Sequence, residues 1–95
     1  MDTFPKCIPL FQALSDPSRQ DIILLLAENE PLTVNEITAN LTLSRPAVSY
    51  HLKILWAQHL VTIEQKGTQR FYSLVLDQAI QELKELIDTV EHTCI

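Results

Sequence analysis

The segment from Leu43 to Leu55, LSRPAVSYHLKIL, places hydroxyl, guanidinium and amine groups at helical spacing. At about 100° per residue, Val48, Leu52 and Leu55 fall together and form a face for a protein core. The remaining arc carries hydrogen-bonding and cationic side chains: Arg45, Ser49, Tyr50 and Lys53. Because such groups bind base edges and phosphate oxygens, the segment is typical of a helix that contacts DNA.

Local signals predict where this helix begins and what precedes it. Ser44 can cap it by accepting a backbone N–H, and Pro46 is tolerated in the first turn, which gives a helix over residues 44–57. Thr33 and Glu36 fit a capping box at the start of a shorter helix. Since only a tight turn separates the two helices, they form a predicted helix-turn-helix with residues 44–57 as the recognition helix.

Two more helices are predicted on the N-terminal side. The first covers Ile8–Leu14 and begins after one of the two nearby prolines. The second begins with Asp16 as its cap and Pro17 as its first residue, and it ends at residues 29–31. Its run IILLLA is apolar almost all round, which predicts a position in the middle of the core.

After the recognition helix the hydrophobic period changes from helical to alternating, which predicts a β-hairpin over residues 61–74. The turn is expected at Lys66 and Gly67, where the single glycine of the chain permits a positive φ. With Lys66 and Arg70 near its tip, this wing could lie along a phosphate backbone or enter the minor groove. The alternative is a hairpin that only covers the core with solvated charges.

The distribution of charge supports a nucleic-acid partner although the net charge is -5. Residues 37–76 contain four basic residues and one acidic residue, whereas the rest of the chain contains three basic and eleven acidic residues. A positive centre between acidic flanks indicates one DNA-facing surface on a molecule that otherwise repels DNA. Chance clustering on a solvated surface is the alternative interpretation.

The last predicted helix, Asp77–Thr93, carries a heptad seam whose positions are spaced by four and three residues in turn: Leu76, Ile80, Leu83, Ile87, Val90 and Cys94. The seam must be buried against its own domain, a second copy of the chain, or both. A dimer through this helix would contact half-sites about 34–36 Å apart, which predicts an inverted-repeat target. If the seam covers only its own core, the prediction of a dimer weakens and that of DNA binding stands.

The composition, 46% hydrophobic and 20% charged, predicts one globular domain over residues 1–95. The longest apolar run, Ile22–Ala27, is far shorter than the ~20 residues that span a bilayer, and no signal-like segment opens the chain. A cytoplasmic protein with no membrane partner is therefore expected. Cys7 and Cys94 are too few and too far apart to define a disulfide framework.

An enzyme is not expected. Ser49 and His51, a nucleophile and a base close in sequence, point about 200° apart on a helix and could not act together. The remaining alternative is a winged-helix module that binds other proteins and not DNA. Because binding to phosphates releases counterions, the salt dependence of affinity for duplex DNA would separate the two classes.

The order helix, helix, helix-turn-helix, wing, long helix resembles the ArsR-type family of winged helix-turn-helix repressors over nearly the whole chain. Three stretches carry the resemblance: FQALSDPSRQDIILLL, LSRPAVSYHLKILWAQHLV and GTQRFYSL. It implies a mainly α fold with a small β-hairpin in the order ααααββα, dimerising through the terminal helices. It also implies a repressor that leaves its operator when a metal ion, metalloid or oxidant binds, with no cofactor of its own.

By position, the resemblance and the helical pattern together assign DNA contacts to two sets of residues. The recognition helix supplies Ser44, Arg45, Ala47, Ser49, Tyr50 and Lys53, and the wing supplies Lys66, Gln69 and Arg70. His51 matches the family pattern, but its angle beside the core face favours a packed, hydrogen-bonded histidine over a base contact. His59 stands where similar proteins often have glycine, so an unusual helix end or an unusual hydrogen bond is expected there, without a metal role.

The inducer is unknown, because the chain departs from the ligand patterns of the family. The thiolate pair of arsenic-sensing relatives is matched by Thr33 and Asn35, which supply no soft ligand. The four ligand positions of the family's zinc-type site are matched here by Leu76, Gln78, Thr89 and His92. Only one of these four, His92, remains a zinc ligand. A thiol or soft-metal site built from Cys7, His92 and Cys94 is the remaining candidate, and simple packing of the cysteines is its alternative.

Overall fold

Over residues 3–93, which the computed structural model describes, five helices and one two-stranded sheet follow each other in the order ααααββα. Side-chain positions are described for residues 7–92. The elements are α1 (Thr3–Ser15), α2 (Pro17–Asn29), α3 (Val34–Ala39), α4 (Arg45–Ala57), β1 (Val61–Lys66), β2 (Gln69–Leu74) and α5 (Asp77–Thr93). This order confirms the predicted winged helix-turn-helix.

The helix starts predicted from capping residues are confirmed. Asp16 Oδ1 accepts hydrogen bonds from the backbone N–H groups of Ser18 at 2.8 Å and Arg19 at 3.2 Å, so α2 begins at the next residue, Pro17. Thr33 and Glu36 form both halves of a capping box, at 3.2 and 3.0 Å. These bonds satisfy N–H groups that have no partner inside the helix.

The first helix differs from its prediction. α1 begins at Thr3 rather than Ile8, so it does not start after either of the two nearby prolines, and Pro9 lies in its interior. Pro9 has no N–H to donate to the carbonyl four residues earlier, so the helix loses one internal bond. Contacts with α2 and α5 offset this loss, because one face of α1 is fully buried at Cys7, Leu10 and Ala13.

The predicted central position of α2 is wrong. Ile22 and Leu26 are fully buried, but Leu24, between them, is 63% exposed. α2 packs against α1, α4 and β2, and these neighbours leave one face of the helix in solvent. In a chain of this size the core is too small to surround a helix completely, so even an almost uniformly apolar helix keeps an outer face.

The wing is an antiparallel pair with Val61 opposite Leu74 and Lys66 opposite Gln69. The connection is therefore Gly67–Thr68, one residue later than predicted, and Gly67 has the expected positive φ of 64°. A bridge fixes the wing to the segment before α3: the backbone groups of Leu32 and Tyr72 exchange hydrogen bonds of 3.0 and 2.8 Å.

The inner face of α4 is buried as its periodicity predicted. Val48, Leu52 and Leu55 are each no more than 1% exposed, and they belong to a core with residues from α1, α2, α3, both strands and α5. α4 is thereby fixed with its opposite face toward solvent. Among the described residues, no helix combines the length and apolar composition needed to cross a lipid bilayer.

α4 ends in a left-handed turn at His59, whose φ is 58°. The N–H of His59 donates to the carbonyl of Trp56 at 3.0 Å, and the N–H of Leu60 donates to that of Leu55 at 2.9 Å. Both bonds of a Schellman motif are present, with His59 at the position that glycine usually occupies. The unusual helix end predicted at His59 is confirmed.

Replacement of His59 by glycine is expected to stabilise the fold by about 1 kcal/mol, because a left-handed backbone costs a residue with a Cβ roughly that amount. Urea unfolding followed by circular dichroism measures the change. His59→Val, which is disfavoured at positive φ, serves as the opposite control and should destabilise. A less stable His59→Gly variant would show that the imidazole contributes more than the turn costs.

Candidate nucleic-acid interface

A surface groove of about 800 Å³ runs between α4, the start of α3 and the wing. Its walls bring together six residues predicted to contact DNA: Arg45, Ser49, Tyr50, Lys53, Gln69 and Arg70. The first four come from α4 and the last two from β2. The groove thus has hydrogen-bonding groups on the helix side and a cation on the wing side.

The α4 side of the groove presents its polar groups to solvent. Arg45, Ser49 and Lys53 are exposed, and Tyr50 is 61% exposed. Ala47 is half-buried and offers only its methyl group. None of the side chains on this side of α4 is covered by another element, so a duplex could reach them directly.

Ser44 caps the N-terminus of α4. Its Oγ accepts a hydrogen bond of 3.3 Å from the backbone N–H of Ala47 and caps α4. Ser44 is exposed and its hydroxyl can still donate, so the cap leaves one hydrogen for a phosphate oxygen. Arg45 is the first residue of α4, where the helix dipole favours an anion beside it.

Lys66 lies at the end of the wing and is not part of the groove walls. Its Nζ is 5.7 Å from the centre of the Phe71 ring and 4.0 Å from Glu64 Oε1. Both charged side chains of this pair are well exposed, and an exposed pair of this kind contributes little free energy. Lys66 is therefore available to a phosphate beyond the groove.

Two groups of groove residues were not identified from the sequence. Trp56 is 54% exposed and lines the groove one helical turn beyond Lys53. Trp56 continues the helical face formed by Arg45, Ser49 and Lys53. The pattern of polar and charged residues on that face does not include it, because an indole side chain is uncharged and mostly apolar. Thr33, Val34 and Asn35 also line the groove, since the start of α3 faces α4.

His51 belongs to the interior side of α4 and not to the groove. It is half-buried, and its Nδ1 lies 3.2 Å from Nη1 of Arg19 at the start of α2. Its ring meets that of Tyr50 edge to face, with centroids 5.3 Å apart. These contacts confirm the packed, hydrogen-bonded histidine.

Cys7 and His92, the described members of the candidate thiol or metal site, lie apart within one chain. Cys7 is fully buried, with its Sγ 3.8 Å from the carbonyl oxygen of Glu82 on α5. His92 is exposed and lies about 15 Å farther along the same helix at 1.5 Å per residue, and Cys94 lies outside the described residues. Among residues 3–93, no three His, Cys, Asp or Glu side chains are grouped as a metal ion requires.

The predicted heptad seam is only partly covered by its own chain. Leu83 is half-buried, but Leu76, Ile80, Ile87 and Val90 are exposed, Ile87 by 55%. The buried contact of α5 runs instead through Ala79. On α1, which packs against α5, Ile8 and Phe11 are exposed as well: Ile8 by 51% and Phe11 by 40%. The terminal helices therefore leave several large apolar side chains in solvent, on α5 and on the neighbouring α1.

Comparisons with known proteins agree with this architecture. The profile described as "Bacterial regulatory protein, arsR family" matches residues 16–62, which include α2, the helix-turn-helix and the start of the wing. A helix-turn-helix transcriptional regulator of Methanocaldococcus jannaschii is 36% identical over 88 residues, covering 93% of this chain and 98% of that protein.

Two further comparisons cover most of the chain. The arsenical resistance operon repressor of Staphylococcus aureus is 34% identical over 96 residues, covering 98% of this chain and 90% of that protein. In structure, an ArsR-like transcriptional regulator from Rhodococcus sp. RHA1 superimposes with a TM-score of 0.84 at 24% identity, over 96% of this chain and 83% of that one. The fold therefore extends beyond the residues that the profile matches.

Proposed function

Because the chain belongs to the ArsR family of transcriptional regulators, we propose that it represses transcription as a homodimer bound to an inverted-repeat operator. Members of this family are regulators and not enzymes, as the sequence predicted. The observation that carries the proposal is the groove in which α4 and the wing present Arg45, Lys53 and Arg70 on one side of the molecule.

The dimensions of α4 fit the proposed contact. Its 13 residues are about 20 Å long, and a helix of this kind enters the major groove of B-DNA, which is about 12 Å wide. With α4 in the major groove, the wing is placed to lie on the neighbouring backbone or minor groove. Gln69 and Arg70 would then contact the duplex beside the bases that α4 reads.

The exposed seam supports the proposed dimer. Ile80 and Ile87 remain in solvent in a single chain although their spacing is that of a helix-pairing surface. Pairing α5 across a two-fold axis would bury them and would place two copies of α4 for two half-sites. A symmetric dimer reads a symmetric operator, which is why an inverted repeat is proposed. The proposed place of action is the cytoplasm.

Release from DNA is proposed to act through the thiols, by oxidation or by a thiophilic metal. Cys7 is the described thiol, and it lies between α1 and α5 against the carbonyl group of Glu82. A modified Cys7 would no longer fit this contact and would separate the two helices that carry the proposed dimer surface. Oxidation of Cys7, or binding of a metal to it, is expected to be slow in the proposed dimer without DNA, because the Sγ atom of Cys7 is buried.

The salt dependence of DNA affinity tests the proposal against a protein-interaction module. If Lys53, Lys66 and Arg70 each meet a phosphate in both subunits, about six contacts form and log affinity should fall with log salt at a slope of about -5. Lys66→Gln should reduce the magnitude of this slope by about two, since each dimer loses two contacts. A wild-type affinity that does not change with salt would favour the protein-interaction module.

A further inference from the structure

One side chain, Arg19, joins three helices. Its Nε donates to the carbonyl oxygen of Ala13 at 2.9 Å, and its Nη2 donates to that of Gln12 at 3.0 Å. Its Nη1 lies 3.2 Å from Nδ1 of His51. The guanidinium group thus uses all three of its nitrogen atoms, one on α4 and two on the end of α1.

The two carbonyl groups belong to the last turn of α1, where no N–H of the same helix can satisfy them. Arg19 itself is fixed at its backbone, because its N–H donates to Asp16 Oδ1 at 3.2 Å in the cap of α2. The end of α1, the start of α2 and the inner side of α4 are therefore connected through hydrogen bonds to one residue.

The contact between Arg19 and His51 has a defined chemistry. A guanidinium group has only donors, so a hydrogen bond between the two requires Nδ1 of His51 to accept, with the ring neutral and its proton on Nε2. If Nδ1 takes up a proton, two donors and two positive charges face each other at 3.2 Å. The contact then becomes repulsive.

We propose that Arg19 and His51 form a positioning pair that holds α4 in the orientation required for DNA contact, and that protonation of His51 weakens DNA binding. This inference rests on the proposed function. The ring of His51 makes an edge-to-face contact with the ring of Tyr50, which belongs to the groove wall on the outer side of α4. A displaced His51 would therefore move a residue that faces the duplex.

Two charged residues, both from the start of α2, face His51: Arg19 and Asp16. On α4 itself, the ring of Tyr50 also contacts His51. Desolvation raises the pKa of Asp16, but hydrogen bonds from the Arg19 and Ser18 N–H groups and the positive charge of Arg19 outweigh it. The resulting pKa is below the ordinary value, so Asp16 stays ionised at mildly acidic and neutral pH.

The sign of the pH effect distinguishes this pair from general electrostatics. Histidine side chains gain positive charge on acidification between about pH 8 and pH 5, and added positive charge strengthens binding to a polyanion. Weaker DNA binding at lower pH would therefore be opposite to the effect of charge alone.

The test measures affinity for an operator selected from random duplexes, at constant salt, between about pH 8 and pH 5.5. Wild-type affinity should fall by about tenfold, a typical coupling between two sites. His51→Asn keeps a neutral acceptor near the position of Nδ1, so its affinity should match wild type at high pH and stay constant or rise slightly on acidification. His92→Gln is the matched control and should keep the wild-type profile.

A second variant, Arg19→Met, tests the other member of the pair. It should weaken binding at high pH and abolish the further loss on acidification, with circular dichroism used to confirm that the variant is folded. A measurement without DNA completes the design: nitrogen NMR of the wild-type imidazole should show His51 with its proton on Nε2. A proton on Nδ1, or a His51→Asn profile equal to that of wild type, would overturn the inference.

Failure of the inference and failure of the proposed function give different results. Wild-type protein that shows no DNA binding at high pH would overturn both the repressor proposal and the positioning pair. Wild-type protein that binds DNA with the expected salt slope, but equally at both ends of the pH range, would overturn the positioning pair alone.

Discussion

Ile80→Asp is expected to convert the proposed dimer into monomers and to lower operator affinity by about a hundredfold or more. Two linked DNA-binding units gain 10²–10⁴ in affinity over one unit, roughly the amount that loss of the dimer would remove. Ile80 is 47% exposed in the single chain, so an aspartate there leaves the core of each subunit in place. In the proposed dimer, an aspartate at position 80 would place a charged carboxylate in the contact between the subunits, where burial removes it from water.

Sedimentation equilibrium and a binding isotherm on the same operator measure the two effects together. Gln81→Asp is the matched control, because it places the same charge on the adjacent, exposed residue of α5 outside the seam. That variant should remain dimeric and bind DNA almost normally. An Ile80→Asp protein that is still dimeric would show that α5 does not form the subunit contact.

Arg45→Ala is expected to cost about 1–3 kcal/mol of operator binding and to relax the preference at one base pair in each half-site. Arg45 is exposed in the first turn of α4, the part of a recognition helix that commonly contacts base edges. Its guanidinium group can donate two hydrogen bonds to guanine, and alanine can donate none. The loss should therefore be large on the operator and small on random DNA.

Lys53→Ala provides the comparison within the same helix. Lys53 is exposed two turns farther along the groove wall, where a phosphate contact is proposed, so its removal should weaken all sequences by a similar factor. Selection of bound duplexes with each variant shows both preferences directly. If the two substitutions changed operator and random DNA equally, Arg45 would have no role in base recognition.

Much of this fold could be predicted because its signals are local. Asp16, Thr33 and Ser44 cap helices that begin at the next residue, and each cap needs only residues within three positions. The inner face of α4 follows from the helical period, which is why Val48 and Leu52 are buried. The outer face of α4 follows from the same period, and the groove contains most of the residues assigned to DNA contact.

The features that were not predicted depend on contacts between distant parts of the chain. The burial of one face of α1 against α2 and α5, which offsets the lost bond at Pro9, has no signal in the sequence around it. Exposure of Leu24 depends on how few elements surround α2. The contact between Arg19 and His51 joins residues 32 positions apart, so no periodic pattern could reveal it.

The attachment of the wing has a consequence for how the operator is chosen. Its base is anchored by the Leu32–Tyr72 bridge and by two further hydrogen bonds, from the N–H of Leu74 to Glu30 Oε2 and from the N–H of Val75 to the carbonyl of Leu60, whereas Lys66 and Gly67 at the tip are exposed. The wing is therefore held at its base, and its solvent-exposed turn is the part that can adjust most readily to a neighbouring duplex. We expect it to tolerate variation in the outer flanks of the operator, with stringent selection confined to the bases under α4.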